Sequence, residues 1–228
     1  MSSYAVGPSP SGLSARLCLV YDASVDDNQK RILPVLLLAL YLIEFCVLAI
    51  RPYDRNVWIA ENTPIVVIVA FLVIAYRWFQ FSNLAYLLMS ALIFLHTIGG
   101  HYSFERVPFG WVTNLIGAHR NHFDRVAHFT GGFYAFGIAE FIEQKQLSRS
   151  RWLTGLFAIF AICTVALGYE IFEWRYAVSA DPAAGIAVLG SQGDPWDAQE
   201  DMLADSLGAI VATALYFARR PKATRTKG

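Results

Sequence analysis

The chain has 228 residues and no formal net charge, and 56% of its residues are hydrophobic while only 16% are charged. A soluble domain usually carries about a quarter charged residues, so the composition excludes an ordinary soluble globular protein. The balanced charge gives no reason to expect a nucleic-acid partner. Long stretches carry almost no charge and the charges gather between them, which is typical of a chain that crosses a bilayer several times.

The apolar runs predict an all-α, polytopic transmembrane bundle of about six spans. In chain order the predicted spans cover residues 32–50, 64–81, 84–98, 124–141, 152–172 and 198–218. Long polar loops, 99–123 and 175–197, separate the third span from the fourth and the fifth from the sixth. The predicted organisation is an N-terminal cytoplasmic tail (1–30), a transmembrane domain (31–218) and a basic C-terminal tail (219–228).

The predicted fourth span is rich in small residues. It contains Gly131, Gly132, Ala135, Gly137 and Ala139. Small side chains let neighbouring transmembrane helices approach closely. We therefore expect this span to lie at the centre of the bundle.

The distribution of Lys and Arg predicts the orientation. With six spans both termini lie on the same side, and that side holds twelve of the eighteen Lys and Arg residues. The other side holds six, including Arg106, Arg120 and Arg125. Because positive residues favour the cytoplasm, both termini are predicted to be cytoplasmic.

This topology gathers ionisable residues at the outer ends of the last four spans. They are His96 on span three, Asp124 and His128 on span four, Glu170 and Glu173 on span five, and Asp197, Asp201 and Asp205 on span six. Spacings of three and four residues put the members on each span on one helix face. Because charges at membrane depth are costly, we expect something positive to compensate them: a metal ion, a proton, or the nearby Arg125 and Arg175.

Imidazole and carboxylate groups together suit Zn, Mn or Fe. The metal hypothesis therefore names these ligands: His96, Asp124, His128, Glu170, Asp201 and Asp205. It assigns Glu173 or Asp197 as the general base. The plainer alternative is that acids such as Asp124 cap helix N-termini. It does not suit Glu170 and Glu173, which lie at a predicted helix C-terminus where the helix dipole disfavours acids.

Four ordered blocks carry a family resemblance: HTIGGHY (96–102), DRVAHF (124–129), YEIFEW (169–174) and QGDPWD (192–197), the last followed by Asp201, Met202 and Asp205. They resemble the YjdF-like family of bacterial inner-membrane proteins of unknown function, over about residues 30–218. The resemblance implies a multi-pass protein of the inner membrane and implies no reaction. The start of span four and the acidic start of span six also resemble VanZ-like membrane proteins.

Three functions fit these observations. The first is a metal-dependent membrane hydrolase or transferase that acts on a lipid-linked or outer-face substrate. The second is a small transporter or ion-binding protein, which predicts polar residues continuing toward the inner face, where Glu44 is the only mid-span acid found. The third is a non-catalytic accessory membrane protein, in which the cluster does not converge. The sequence leaves the oligomeric state and the choice between enzyme and non-enzyme open.

Overall fold

The computed structural model describes residues 32–115, 117–179 and 191–219, which form helices and connecting turns without any strand. The predicted tails, 1–30 and nearly all of 219–228, lie outside the described residues. In chain order the described α-helices are α1 (Ile32–Leu48), α2 (Arg55–Ala75), α3 (Asn83–Tyr102), α4 (Gly110–Leu115), α5 (Phe123–Gly131), α6 (Tyr134–Gln144), α7 (Arg151–Ser179) and α8 (Asp197–Arg219).

Four of these helices, α2, α3, α7 and α8, are long and apolar enough to cross a membrane. Helix α1 is a shorter apolar helix, and α5 and α6 together take the place of the predicted fourth span. Large apolar side chains stay exposed on the outside of the bundle, among them Val67, Phe71, Phe160, Val165 and Leu167. An all-α membrane bundle is thereby confirmed, while the side on which the termini lie stays a prediction.

Helix α2 begins earlier than the predicted span. The span was predicted to start at Pro64, whereas α2 starts at Arg55 and contains the proline in its interior. The Asp54 side chain caps the helix by accepting hydrogen bonds from the backbone N–H groups of Asn56 at 2.7 Å and Val57 at 3.0 Å. Such a cap satisfies N–H groups that the first turn leaves unpaired, so it favours this early start.

The longer α2 carries an acid that the sequence interpretation placed in a loop. Glu61 lies inside the helix and is only 3% exposed. It lies in the first turns of α2 beside His96, so the sequence interpretation missed a buried acid at the end of the bundle that holds the cluster.

Helices α5 and α6 form one broken segment that crosses α8 at very short range. The break lies at Gly132 and Phe133. A Cβ on Gly132 would collide with the α8 backbone around Gly208, and a Cβ on Gly208 would collide with the carbonyl oxygen of Phe129. Only glycine permits this contact of backbone with backbone, which is the close approach that the small residues predict.

The end of the bundle away from the predicted site is fixed by a buried acid on α6. Glu140 accepts hydrogen bonds from the backbone N–H and the hydroxyl of Ser82, each at 2.8 Å. It also accepts one from Gln144 Nε2 at 2.8 Å. These bonds tie α6 to the start of α3 and leave the ionisable cluster at the opposite end of the bundle.

Candidate metal centre and adjoining cavity

The crossing of α5 and α8 brings together two acids and a histidine, here called the triad: Asp124, His128 and Asp201. His128 Nε2 lies 3.6 Å from Asp124 Oδ1 and 3.8 Å from Asp201 Oδ1. One ligand atom from each of the three lies within 4.8 Å of the others. The triad is therefore compact enough to surround a single metal ion.

Asp205, one turn along α8 from Asp201, fixes the ring of His128. Its Oδ2 atom lies 2.8 Å from His128 Nδ1. An ionised carboxylate only accepts hydrogen bonds, so Nδ1 carries a proton, and in a neutral imidazole the lone pair is then on Nε2. In that form Nε2 could bind a metal ion together with the two triad carboxylates, as in many metal-bound histidines that donate to a carboxylate.

Helix α7 adds two further acids beside the triad. Glu170 and Glu173 are 8% and 9% exposed. Glu170 interacts electrostatically with every member of the triad and with Asp205. Its Oε1 atom has no hydrogen-bond partner among the described residues. A buried carboxylate oxygen without a partner is costly, which marks this atom as one that a ligand would satisfy.

Two arginines close the outer rim of the cluster. Arg125 donates to Asp201 Oδ1 at 2.6 Å and to Asp197 Oδ1 at 2.5 Å. It also contacts Glu200 Oε2 at 3.1 Å. Arg120 donates to the same Asp197 oxygen at 2.9 Å. The sequence therefore identified one real positive partner, Arg125, and missed the other.

Arg175, the second predicted positive partner, lies over the ring of Trp174 at 5.6 Å from its centroid. Its place near the acids is taken by Arg120, which also pairs with Asp194. No sequence spacing relates Arg120 to the acids on α8, because the contact depends on how the loop before α5 folds back on α8.

His96 belongs to a neighbouring group with Glu61 and Tyr169. Its Nε2 atom lies 3.2 Å from Glu61 Oε2, and the Tyr169 hydroxyl donates to the same oxygen at 2.9 Å. The Tyr169 ring centroid lies 5.9 Å from that of His96 and 6.0 Å from that of His128. Tyr169 therefore stands between the triad and the Glu61–His96 pair.

The predicted site residues thus fall into four places. Asp124, His128 and Asp201 form the triad, with Asp205 behind the histidine and Glu170 beside it. His96 contacts Glu61 instead of the triad. Glu173 is buried on the same helix as Glu170, and Asp197 lies at the rim between two arginines. Their roles as metal ligands or bases stay predictions.

Besides Arg120, two residues of the site were missed by the sequence interpretation, Glu61 and Tyr169. The signal for Glu61 was Asp54, a preferred N-cap residue that indicates a helix start before Pro64. The signal for Tyr169 was its spacing of four from Glu173, which puts both on one face of α7.

A cavity of about 430 Å³ adjoins the cluster on its inner side. Its polar end is formed by His96, His128, Tyr169 and Asp205. The remaining walls are almost entirely apolar and come from α2, α3, α6 and α7, with Ile68, Phe71, Leu92, Ile138 and Val165 among them. The volume is within the usual range for small-molecule sites.

Comparison with known proteins yields one family and one relative. A family model described as "Predicted membrane protein (DUF2238)" matches residues 33–222. The chain is 34% identical over 180 residues to a protein of Escherichia coli (strain K12) named "Inner membrane protein YjdF", covering 75% of this chain and 81% of that one. No solved structure matches the chain. The likeness to VanZ-like proteins stays a prediction.

Proposed function

The chain belongs to the DUF2238 family of predicted membrane proteins, and we propose that it is a metal-dependent hydrolase or transferase that acts on a lipid-linked substrate. The family confirms the YjdF-like resemblance, and the chain is a multi-pass protein of the bacterial inner membrane. The proposed reaction centre is the triad with its neighbouring acids.

The observation that carries the proposal is the setting of His128. Asp205 Oδ2 lies 2.8 Å from His128 Nδ1, and His128 Nε2 faces one carboxylate from α5 and one from α8. A tetrahedral ion with bonds of about 2.0–2.2 Å keeps its ligand atoms roughly 3.3–3.6 Å apart. The observed distances of 3.6 and 3.8 Å are close to that spacing.

The chemistry of the donor set fits Zn, Mn or Fe, since one imidazole and two carboxylates are ligands that these ions accept. Glu170 is the candidate for a fourth ligand because its buried Oε1 has no partner among the described side chains and backbone. A cation here would also offset the acids that Arg120 and Arg125 do not reach.

A bound divalent ion would lower the pKa of a coordinated water to about 7 and polarise a substrate oxygen. Glu173 is the proposed general base, since it is buried near Glu170 and Asp124. Asp197, the other predicted base, lies between Arg120 and Arg125. Both guanidinium groups bond its Oδ1 atom, so we assign Asp197 to positioning the arginines.

A second candidate function, the accessory protein, is favoured by the ion pairs of Arg125 with Asp197, Glu200 and Asp201. These pairs offset part of the acidic charge without a metal. The transporter alternative is disfavoured by the cavity, because a path for ions needs polar groups along its whole length. Below His128 and Tyr169 the cavity walls are apolar except for Tyr134 on α6.

The test is the metal content and thermal melting of the detergent-purified protein, with and without a chelator. We expect a copurifying divalent metal and a lower melting temperature after chelation, restored by adding Zn²⁺ or Mn²⁺. His128→Ala and Asp201→Ala should each lose most of the bound metal. His122→Ala, which changes a histidine just before α5 and outside the triad, is the matched control and should retain it.

The accessory-protein alternative predicts a different result. Asp201→Ala would remove one of the ion pairs of Arg125, which keeps Asp197 and Glu200 as partners, and would lower the stability without any loss of metal, while the chelator would not change wild-type melting. Absence of copurifying metal together with an unchanged melting temperature would refute the metal-dependent enzyme.

A further inference from the structure

The cavity has a strongly asymmetric lining. Apart from Tyr134 on α6, its polar residues lie at the outer end, where His96, His128, Tyr169 and Asp205 meet. From Pro64 to Ala75 the α2 wall is apolar, and this stretch is about 16 Å long at 1.5 Å per residue. That length is roughly half of the hydrocarbon core of a bilayer.

The cavity lies between two helix groups and opens toward the membrane. Helix α3 packs against α2 on one side and against α5 and α6 on the other, while α6 and α7 pack against α8 and each other. Phe71 on α2 and Val165 on α7 both line the cavity, yet they are 65% and 67% exposed. These two residues therefore mark a lateral mouth that faces lipid.

Contacts at both ends bound this mouth. At the outer end the Tyr169 hydroxyl on α7 donates to Glu61 on α2 at 2.9 Å. At the inner end the rings of Phe79 and Phe141 meet at 5.0 Å. Among the residues that the structure describes, the opening toward the bilayer lies between these two contacts, at the depth of the acyl chains.

We propose that the cavity binds one hydrocarbon chain of a phosphate-bearing lipid, which enters sideways between α2 and α7 and places its phosphate at the triad. A hydrocarbon chain is the proposed occupant because the cavity is apolar and opens at the depth where lipid tails surround the protein. A volume of about 430 Å³ favours one chain over two. The placement of the phosphate rests on the proposed function, because without a metal the carboxylates would repel an anion.

The experiment uses the full-length protein in phosphatidylcholine nanodiscs with a long-chain alkyl phosphate that carries a photoactivatable diazirine on its chain. Peptide mapping should find the label concentrated on cavity residues such as Ile68, Phe71 and Val165. Labelling spread evenly over the lipid-facing residues, including Val67 and Leu167, would overturn the proposal.

Two matched pairs of tryptophan variants test the route. Val165→Trp should block the mouth and lose most of the cavity label, whereas Leu167→Trp, at an exposed site on the same helix outside the cavity, should not. Ile68→Trp and Val67→Trp form the corresponding pair on α2. Equal labelling of both members of each pair, with unchanged melting temperatures, would overturn the proposal.

A second probe separates this inference from the metal-dependent function. The corresponding alkyl alcohol, which lacks the phosphate, should label the cavity more weakly than the phosphate, and chelation should remove that difference. Cavity labelling by the alcohol without any copurifying metal would support the chain site and overturn the placement of the phosphate. If the metal is retained but neither probe labels the cavity, the hydrocarbon-chain site is overturned and the metal-dependent function is not. If the phosphate group binds at the triad, added inorganic phosphate should lower the labelling by the alkyl phosphate; unchanged labelling would overturn that placement.

Discussion

At the scale of single residues, the two nitrogens of His128 contact different carboxylates. Nδ1 donates to Asp205, and Nε2 faces Asp124 and Asp201. Three acids around one imidazole are costly at membrane depth unless a cation or the imidazole proton offsets them. Because Asp205 fixes the ring rather than facing Nε2, its removal should loosen metal binding without removing a ligand.

We predict that Asp205→Asn weakens metal affinity by about 10–100-fold, the usual cost of losing the carboxylate that orients a metal-bound histidine. The measurement is titration of the metal-free protein with Zn²⁺. Glu200→Gln is the control, since the Glu200 side chain is 48% exposed at the rim and contacts Arg125 rather than the triad. Equal affinities for Asp205→Asn and wild type would contradict the role given to Asp205.

A second residue-scale prediction concerns Tyr169→Phe. The Tyr169 hydroxyl donates to buried Glu61, and a lost hydrogen bond to a charged acceptor costs about 1–3 kcal/mol. We therefore expect a lower melting temperature with an unchanged metal content, because the hydroxyl contacts Glu61 and His96 rather than the triad. Loss of metal in this variant would instead place Tyr169 in the metal site.

The sequence could assign to the site those residues that lie one turn apart on the same helix. Asp124 with His128, and Asp201 with Asp205, are separated by one turn and do face one centre. His96 was assigned to the same centre because it lies at the same depth. Depth alone does not fix the direction of a side chain around the helix axis, and His96 turns toward Glu61 instead.

At the scale of helices, the site depends on how closely α5 approaches α8. Gly132 and Gly208 bring the two backbones into contact, and Asp205 lies one turn before Gly208 on the same face. Any side chain at the crossing would push α8 away from α5 and separate His128 from its carboxylates. The glycines are therefore part of the site, although they carry no functional group.

We predict that Gly208→Ala lowers the stability by about 1–3 kcal/mol, the usual cost of overpacking, and reduces metal binding. Its Cβ would collide with the Phe129 carbonyl oxygen. Gly168→Ala on α7 is the matched control, since no atom lies within 4 Å of its Cβ position. The control should be neutral or slightly stabilising because alanine favours a helix. Similar melting temperatures for both variants would contradict the crossing as described.

The apolar runs predicted the helices well, whereas their ends and breaks were predicted less well. The first half of α2 contains Glu61 and Asn62, whose polarity indicated a loop before the predicted span. In the structure Glu61 is satisfied by Tyr169, and Asn62 Nδ2 donates to the Trp58 carbonyl. Partners that are distant in sequence, or local side-chain caps, thus decide where a helix ends, and hydropathy does not report them.

At the scale of the whole molecule, polar chemistry is concentrated at one end. Loop residue Arg120 contacts Asp197 at the start of α8, so the loop before α5 and the triad share that end. The buried acid of the other end, Glu140, is hydrogen-bonded by Ser82 and Gln144. The side of the membrane that the loop faces therefore determines which compartment the proposed reaction centre meets.

The last prediction is that this end faces outward and that both termini are cytoplasmic. Twelve of the eighteen Lys and Arg residues lie on the predicted inner side, and this bias sets orientation. A reporter inserted after Gly117, an exposed position with no atom within 4 Å of its Cβ, should give a periplasmic signal. A reporter fused at Gly228 should give a cytoplasmic one. Because Gly117 lies in the loop that carries Arg120, its signal reports the side of the cluster whatever the number of spans. A cytoplasmic signal from this insertion would place the triad inside the cell and exclude an outer-face substrate.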